Sequence, residues 1–593
     1  MMVSDYIFDF LQCKGVDTAF MVSGGQAMFL VDSLGRHPSI KTICTHHEQS
    51  AGMAADAYAR MTGKLGVALV TAGPGSMNVV NGLVGGWTDS APMMVISGQS
   101  ALSCVDYQAK SGIRQYGIQG IYIQPFVEKG TKFFVTVDDP AKIQYYMEKA
   151  YYLATHGRPG PVWVDVPLDI QRMEVPEDRL YPYQPEADVA TPVCPPEQLL
   201  KTWELLKTAK RPLIIAGQGV RIADADIELR NLIERLNIPI ITTRLGIDLI
   251  EYDHPLFVGH PGNYGDRAAN FAVQNADVIL AIGSRLSTSS VGHDSASFGK
   301  HATKIMVDID PKELAKPGAI IDVKINADAN AFLVSLSAIA DANQMMDTAS
   351  WVLVCNGWKK NYPVVLPEYK DEKPVNSYYF TERLCEKTGC DDMVLVDTGS
   401  CFHVACQAWK IKKGQRFLTT GGLSSMGYWA ACLGVCAANR YKSTIVITGD
   451  GSLQMNLQEL ATIKHYNLPI KIIIFNNNGY LLIRQTQRNF MEGRLFGEGP
   501  ESGVWCPDSL RIAAACGIKG VRIDSVNDLD TKIDEVLAHD GPVVCDVMTP
   551  EWQLLMPRVA SEKLPDGSLV SRKFEDMFPF LPEEELNRNM VSE

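Results

Sequence analysis

The feature that most constrains this 593-residue chain is a rhythm in which short apolar, β-branched runs alternate with helical patterns in three successive blocks. The first block holds Gly66–Val70 and Met93–Ser97, with a helical pattern over Glu48–Met61. The second holds Pro212–Ile215, Val278–Ile282 and Lys304–Val307. The third holds Val394–Val396, Thr444–Thr448, Lys471–Phe475 and Pro542–Val547. Strands that alternate with helices form parallel sheets covered on both faces. The expected fold is therefore α/β, with three doubly wound parallel-sheet domains at 1–175, 198–345 and 374–550. The proline-containing stretches Pro176–Glu197 and Trp358–Lys373 read as connections, and 551–593 as an ordered C-terminal extension.

Composition removes several classes. The chain is 46% apolar and 21% charged, as soluble globular proteins are. Its net charge of −13, without a basic cluster, argues against nucleic acid and anionic membrane surfaces as partners. No apolar run reaches the ~18 residues of a membrane span. The N-terminus carries Asp5 and Asp9 and does not read as a secretory signal. The 14 cysteines are scattered without a CxxC pair, which fits free thiols in a reducing cytoplasm.

In open parallel sheets, ligands bind beyond the carboxyl ends of the strands. After the run STIVIT comes Gly449-Asp450-Gly451-Ser452, followed by the helical pattern LQELATIKHY. The next run, IKIIIF, ends in Asn476-Asn477-Asn478-Gly479-Tyr480, with 24 residues between Gly451 and Asn476. A carboxylate and an amide oxygen on consecutive strand ends can share one hard cation such as Mg²⁺, and that ion neutralises a diphosphate. Glycines let the backbone approach phosphate, and a helix start adds N–H donors.

These motifs resemble the signature of thiamine-diphosphate enzymes. Nearly the whole chain, from about Met1 to Pro550, resembles the acetohydroxyacid (acetolactate) synthases and their relatives. The resemblance implies that Asp450, Asn477 and the main-chain carbonyl of Gly479 ligate Mg²⁺. It implies diphosphate contacts from Gly399 and Ser400 in the turn Asp397–Ser400, and from Gly451, Ser452 and Tyr480. The segment Thr419–Gly427, with Gly422, would hold the aminopyrimidine, and Met426 would wedge the cofactor into its bent shape.

In the same family a glutamate hydrogen-bonds N1′ of the aminopyrimidine and so promotes loss of the thiazolium C2 proton. Glu48, in Thr45-His46-His47-Glu48-Gln49, takes that place. The segment is not the HExxH zinc pattern, because the second histidine is absent. Ser23-Gly24-Gly25 and Thr71–Gly75 match further turns of that domain, and Gly25 and Gln119 join Glu48 as candidate catalytic positions. The family builds its active sites from two subunits, so a homodimer or homotetramer with sites at the interface is implied.

Departures from the family bear on the reaction. Pyruvate decarboxylases carry a glutamate where this chain has Ile483, in the stretch that includes Leu482. Its absence favours passing an acyl carbanion to a carbon acceptor. Acetolactate synthases have Arg-Gln-Trp where this chain has Arg484-Gln485-Thr486, and Phe-Gln-Glu where it has Ile118-Gln119-Gly120. These changes imply a roomier acceptor pocket lined by Ile118, Leu482, Ile483 and Thr486. The expected activity is a decarboxylating carboligase that takes a 2-keto acid, in the family pyruvate, and a carbonyl acceptor, here a keto-sugar nucleotide. The alternatives are an acetolactate synthase using a second pyruvate, a flavin-dependent pyruvate oxidase, and a non-oxidative decarboxylase. In the central block, Gly217-Gln218-Gly219, Gly283-Ser284-Arg285 and Asp308-Ile309-Asp310 resemble the FAD-binding domain of the synthases. Gly217, Gly219, Arg285 and Asp308 are its candidate FAD contacts, with the flavin structural rather than redox-active.

Overall fold

The computed structural model describes residues 1–185, 191–341, 346–563 and 569–590. Among these, three six-stranded sheets are formed, and every strand pair within them is parallel. The first sheet contains β1 (Thr18–Met21), β2 (Lys41–Cys44), β3 (Gly66–Val70), β4 (Met93–Gln99), β5 (Phe133–Thr136) and β6 (Val162–Pro167), in the order β2-β1-β3-β4-β6-β5. The second contains β7 (Pro212–Ala216), β8 (Ile240–Thr242), β9 (Phe257–Gly259), β10 (Val278–Ile282), β11 (Thr303–Asp308) and β12 (Val323–Asn326), in the order β12-β11-β10-β7-β8-β9. The third contains β13 (Met393–Val396), β14 (Phe417–Thr419), β15 (Thr444–Gly449), β16 (Ile470–Asn476), β17 (Lys519–Ile523) and β18 (Val543–Met548), in the order β14-β13-β15-β16-β18-β17. Central strands such as β3, β7 and β10 are buried along their whole length, because helices cover both sheet faces.

The first and third sheets share one apolar core. The helix Glu48–Thr62 runs between them, buried on nearly every side. Its composition, rich in alanine and glycine, is what such a position requires. A Cβ on Gly434 would lie 1.9 Å from the Ala54 carbonyl oxygen, and one on Gly66 would lie 2.0 Å from that of Ala55. Neither position has room for a side chain.

Two expectations need correction. The stretch read as a second connection, Trp358–Lys373, begins inside the helix Ala349–Asn361. Trp351, Cys355 and Trp358 repeat at helical spacing and are buried against the central domain. The helical pattern after Gly451 is also not one helix. A single turn, Asp450–Leu453, leads into a 3₁₀ turn at Gln454–Asn456, and the longer helix covers Glu459–His465. Of the connection expected over 176–197, residues 186–190 lie outside the described residues, as do 342–345, 564–568 and 591–593 of the central block and the tail. The described tail folds back on the central domain, where Phe574, Leu581, Leu586 and Met590 pack. Arg267 donates to the carbonyls of Met577 and Pro579 there. Among the described residues no helix is long and apolar enough to cross a membrane.

Candidate functional site

The carboxyl ends of β13, β15 and β16 bring Asp397, Asp450 and Asn477 to one edge of the third sheet. Gly399 has φ +97°, a backbone conformation that favours glycine, and it turns the chain so that Ser400 opens the helix Ser400–Ala408. Asp397 is fully buried and accepts hydrogen bonds from Thr448 Oγ1 at 2.8 Å and Ser452 Oγ at 2.6 Å. Burial pushes its carboxyl up to about 6. Ser452 Oγ in turn accepts from the Gly427 amide at 2.7 Å, which ties the turn after β15 to the segment after β14.

Asp450 accepts from the amides of Gly451 and Gly479, both at 2.9 Å. Burial raises its pKa to about 7. Asn477 Nδ2 lies 3.5 Å from Ser400 Oγ, while its Oδ1 is buried without a hydrogen-bond donor. A buried acceptor left unsatisfied costs about 1–3 kcal/mol. A divalent cation between these two groups would satisfy the amide oxygen and neutralise the carboxylate, so the residues fit Mg²⁺. Tyr480 lies against Gly451, where a Cβ would meet its ring at 2.2 Å. Gly479, at φ +132°, passes so close to the Glu498 carbonyl that a Cβ would lie 2.0 Å from it. Among the described residues, no cluster of three His, Cys, Asp or Glu side chains is placed to bind a metal.

One residue of this edge was missed in the sequence as a functional element. Arg484 is buried and paired with Glu498 at 2.5 Å. It also donates to the carbonyls of Asn477 (3.1 Å), Asn478 (3.0 Å) and Glu551 (2.7 Å), clamping the Asn477 turn from behind. No local pattern announces it, because Glu498 lies fourteen positions on and meets it only after folding. The helix Leu481–Phe490 leaves Ile483 and Thr486 exposed, with Leu482 half-buried against the core.

The carboxyl ends of the first sheet gather a second group. Glu48 opens its helix behind the cap residue His47, and its Oε2 accepts from Asn78 Nδ2 at 3.0 Å. Asn78 was also missed in the sequence. A Cβ on Gly75 would lie 3.2 Å from Glu48 Oε1, and one on Gly24 would lie 2.5 Å from Thr71. Gly73, at φ +61°, lies under the Gln119 backbone, which itself has φ +57°. Gly25 starts a 3₁₀ turn beside open space, and Ile118 is 75% exposed. Within one chain, no hydrogen bond or ion pair among the described residues joins Glu48 or Gln119 to Asp450, Asn477 or Ser452.

A third region is a cleft of about 600 Å³ where the three domains meet. Gly219, Arg285 and Asp308 line it, together with Arg158, Arg244 and Gly422. Gly217 packs against Gly283, where a Cβ would lie 2.3 Å from the carbonyl oxygen, so its glycine serves the close approach of two strand ends. Arg285 donates to the Thr88 carbonyl at 2.9 Å. Arg158 pairs with Asp310 and Glu313, both at 2.9 Å. Asp308 is buried, and its carboxyl is raised to about 6 by that burial. Arg244 stands over the Phe402 ring at 4.6 Å and has no carboxylate in salt-bridge range among the described residues. Asp89 accepts from the amides of Gly421 (2.8 Å) and Gly422 (2.7 Å), holding the segment that leads to the half-buried Met426.

Three family models match successive parts of the chain. Residues 1–122 match the family described as thiamine pyrophosphate enzyme, N-terminal TPP binding domain. Residues 199–336 match its central domain and residues 397–547 its C-terminal TPP binding domain. A probable acetolactate synthase large subunit of Methanocaldococcus jannaschii is 33% identical, over 92% of this chain and 91% of that protein. One from Methanococcus aeolicus is 32% identical over 90% of each. The acetolactate synthase isozyme 2 large subunit of Escherichia coli (strain K12) is 31% identical, over 95% of this chain and 98% of that protein. The chain belongs to the acetolactate synthase large-subunit family of thiamine pyrophosphate enzymes, and is a thiamine-diphosphate-dependent carboligase of the acetolactate-synthase type.

Proposed function

We propose that this enzyme decarboxylates pyruvate and joins the two-carbon unit to a second 2-keto acid, at a site where Mg²⁺ is held by Asp450, Asn477 and the Gly479 carbonyl. The observation that carries the cofactor site is the buried Asn477 Oδ1 without a donor, close to a buried carboxylate. Bound there, thiamine diphosphate supplies an electron sink for the carbanion left when CO₂ departs. Gly451, Ser452, Gly399 and Ser400 face the diphosphate, Tyr480 closes the turn, and Met426 supports the bend of the cofactor. Glu48 holds a proton at the pyrimidine N1′, with Asn78 orienting its carboxylate. Gln119 and Gly25 border the same end. The half-sites come from different sheets, and Glu48 and Asp450 complete one centre only across a homodimer interface, alone or within a homotetramer. Ile483, on the helix after Asn477, stands where the pyruvate decarboxylases carry a glutamate, and the lack of an acid there supports transfer to carbon as the productive route.

The second 2-keto acid is the better-supported acceptor, because relatives matching nearly the whole chain bear the acetolactate synthase name. One observation favours a bulkier acceptor such as a keto-sugar nucleotide. Ile118, Ile483 and Thr486 all stand exposed, and none is large enough to close the pocket. Labelled pyruvate given alone, with products read by mass spectrometry, separates the two. Rapid acetolactate formation supports the first reading, and pyruvate consumption only when a larger ketone is added supports the second. Thr486→Trp is expected to shift preference several-fold towards small acceptors, and no shift would remove the pocket argument.

For the central cleft we propose FAD in a structural role. The half-buried Arg244 without a carboxylate is the observation that fits a diphosphate there, with Arg285 beside it and Asp308 towards the adenosine. A purified protein with flavin absorbance supports this, and a colourless, fully active enzyme contradicts it. The fourteen free cysteines suit a cytoplasmic location.

A further inference from the structure

The stretch from Asp450 to Thr462 does more than present a metal ligand. Its residues hold both half-sites of the chain. Gly427 has φ +82°, and both sides of it are gripped: its amide donates to Ser452 Oγ at 2.7 Å, and its carbonyl accepts from Asn456 Nδ2 at 2.9 Å. A Cβ on Gly427 would lie 2.6 Å from Met455 Cβ and 2.8 Å from Asn456 Nδ2, so the peptide has no freedom to shift. Met426 is bonded directly to this clamped residue. On its other side, Asn456 Oδ1 accepts from Ser50 Oγ at 3.1 Å, in the first turn of the helix that Glu48 opens. Asn456 and Ser50 are both fully buried. Three residues on, the buried Glu459 accepts from the His46 amide at 3.1 Å, and Thr462 Oγ1 lies 2.9 Å from His46 Nδ1. The turn carrying Glu48 is thus braced on both sides by the segment that follows Asp450.

We propose that Asn456 is a positioning residue that locks the Met426–Gly427 peptide to the start of the Glu48 helix of the same chain, so that one amide side chain sets cofactor shape at one centre of the dimer and cofactor activation at the other. The proposal rests on the roles given above to Met426 and Glu48. An amide is needed because it donates on one side and accepts on the other. A carboxylate in the same place would keep the Ser50 bond and lose the one to Gly427, leaving two acceptors facing each other. Ser50→Ala breaks the opposite link and leaves Gly427 held.

The two variants therefore divide the effect. Asn456→Asp is expected to weaken thiamine diphosphate binding at saturating Mg²⁺ on the order of tenfold. Ser50→Ala is expected to keep cofactor affinity near that of the parent enzyme, while slowing exchange of the bound cofactor's C2 proton for deuterium, and kcat with it, on the order of tenfold. Cofactor affinity is read by titrating the full-length apoenzyme, and exchange by NMR after acid quench. A purely structural role would lower the melting temperature in both variants and move neither affinity nor C2 exchange, and that result overturns the proposal. If Asn456→Asp does not fold, Ser50→Ala decides alone: unchanged C2 exchange overturns the proposal. Glu48→Gln in the same assay tests the underlying reading separately, since normal exchange in that variant removes the role of Glu48 whatever Asn456 does.

Discussion

The diphosphate edge of the third sheet and the cleft between the three domains are both polar and both bordered by glycine turns, yet they differ in how complete they are. At the edge, the buried Asn477 Oδ1 lacks a donor, and burial pushes the Asp450 carboxyl up to about 7. In the cleft, most charges already have counterparts. Arg158 meets Asp310 and Glu313, Arg285 meets the Thr88 carbonyl, and Asp89 meets two amides across a domain boundary. Arg244 and the buried Asp308 are exceptions, since neither has an oppositely charged side chain in salt-bridge range among the described residues. A site that needs an ion to satisfy its buried atoms depends on that ion, while a cleft whose walls pair with one another keeps its shape without a ligand. Under the proposed function, the edge is where chemistry would depend on a bound ion, and the cleft is where a bound flavin would add stability.

The largest effect expected from this contrast concerns the half-site that completes the edge. Glu48→Gln is expected to lower kcat for pyruvate consumption by about 10²–10⁴-fold while leaving Mg²⁺-dependent cofactor binding in place. Full activity in that variant would place activation elsewhere. Next comes the clamp behind the Asn477 turn. Glu498→Ala leaves Arg484 buried and unpaired, with an expected stability loss of about 3–5 kcal/mol by denaturant unfolding. A loss below 1 kcal/mol would mean that the backbone carbonyls around Arg484 hold it unaided. The smallest effect belongs to the cleft. Arg244→Met is expected to weaken flavin retention on gel filtration on the order of tenfold and to change kcat little at saturating FAD. A large fall in kcat would make the cleft part of the chemistry and erase the distinction.

The two regions were not equally legible in the sequence. Asp450 and Asn477 follow strands directly, so strand recognition alone carries them to one sheet edge, and their residue types suit the hard cation proposed there. Gly217 and Gly219 also follow a strand, yet their neighbours are backbone atoms of Gly283, which no local pattern reveals. Arg484, Asn78 and Asp89 were missed for the same reason, because each meets its counterpart through tertiary packing. Trp358–Lys373 reads as a linker because of Lys359, Lys360 and the prolines beyond, although Trp351, Cys355 and Trp358 mark the buried face of the helix Ala349–Asn361. The order of strands within each sheet also depends on crossovers that the sequence does not display.

The most direct test of the account is calorimetric titration of thiamine diphosphate into the full-length apoenzyme, with and without Mg²⁺, for the parent enzyme and Asp450→Ala. Saturable binding that requires Mg²⁺ in the parent and disappears in the variant is the expected result. Equal binding by both proteins, or binding indifferent to Mg²⁺, would contradict the assignment of Asp450 and Asn477 as the anchor of the cofactor.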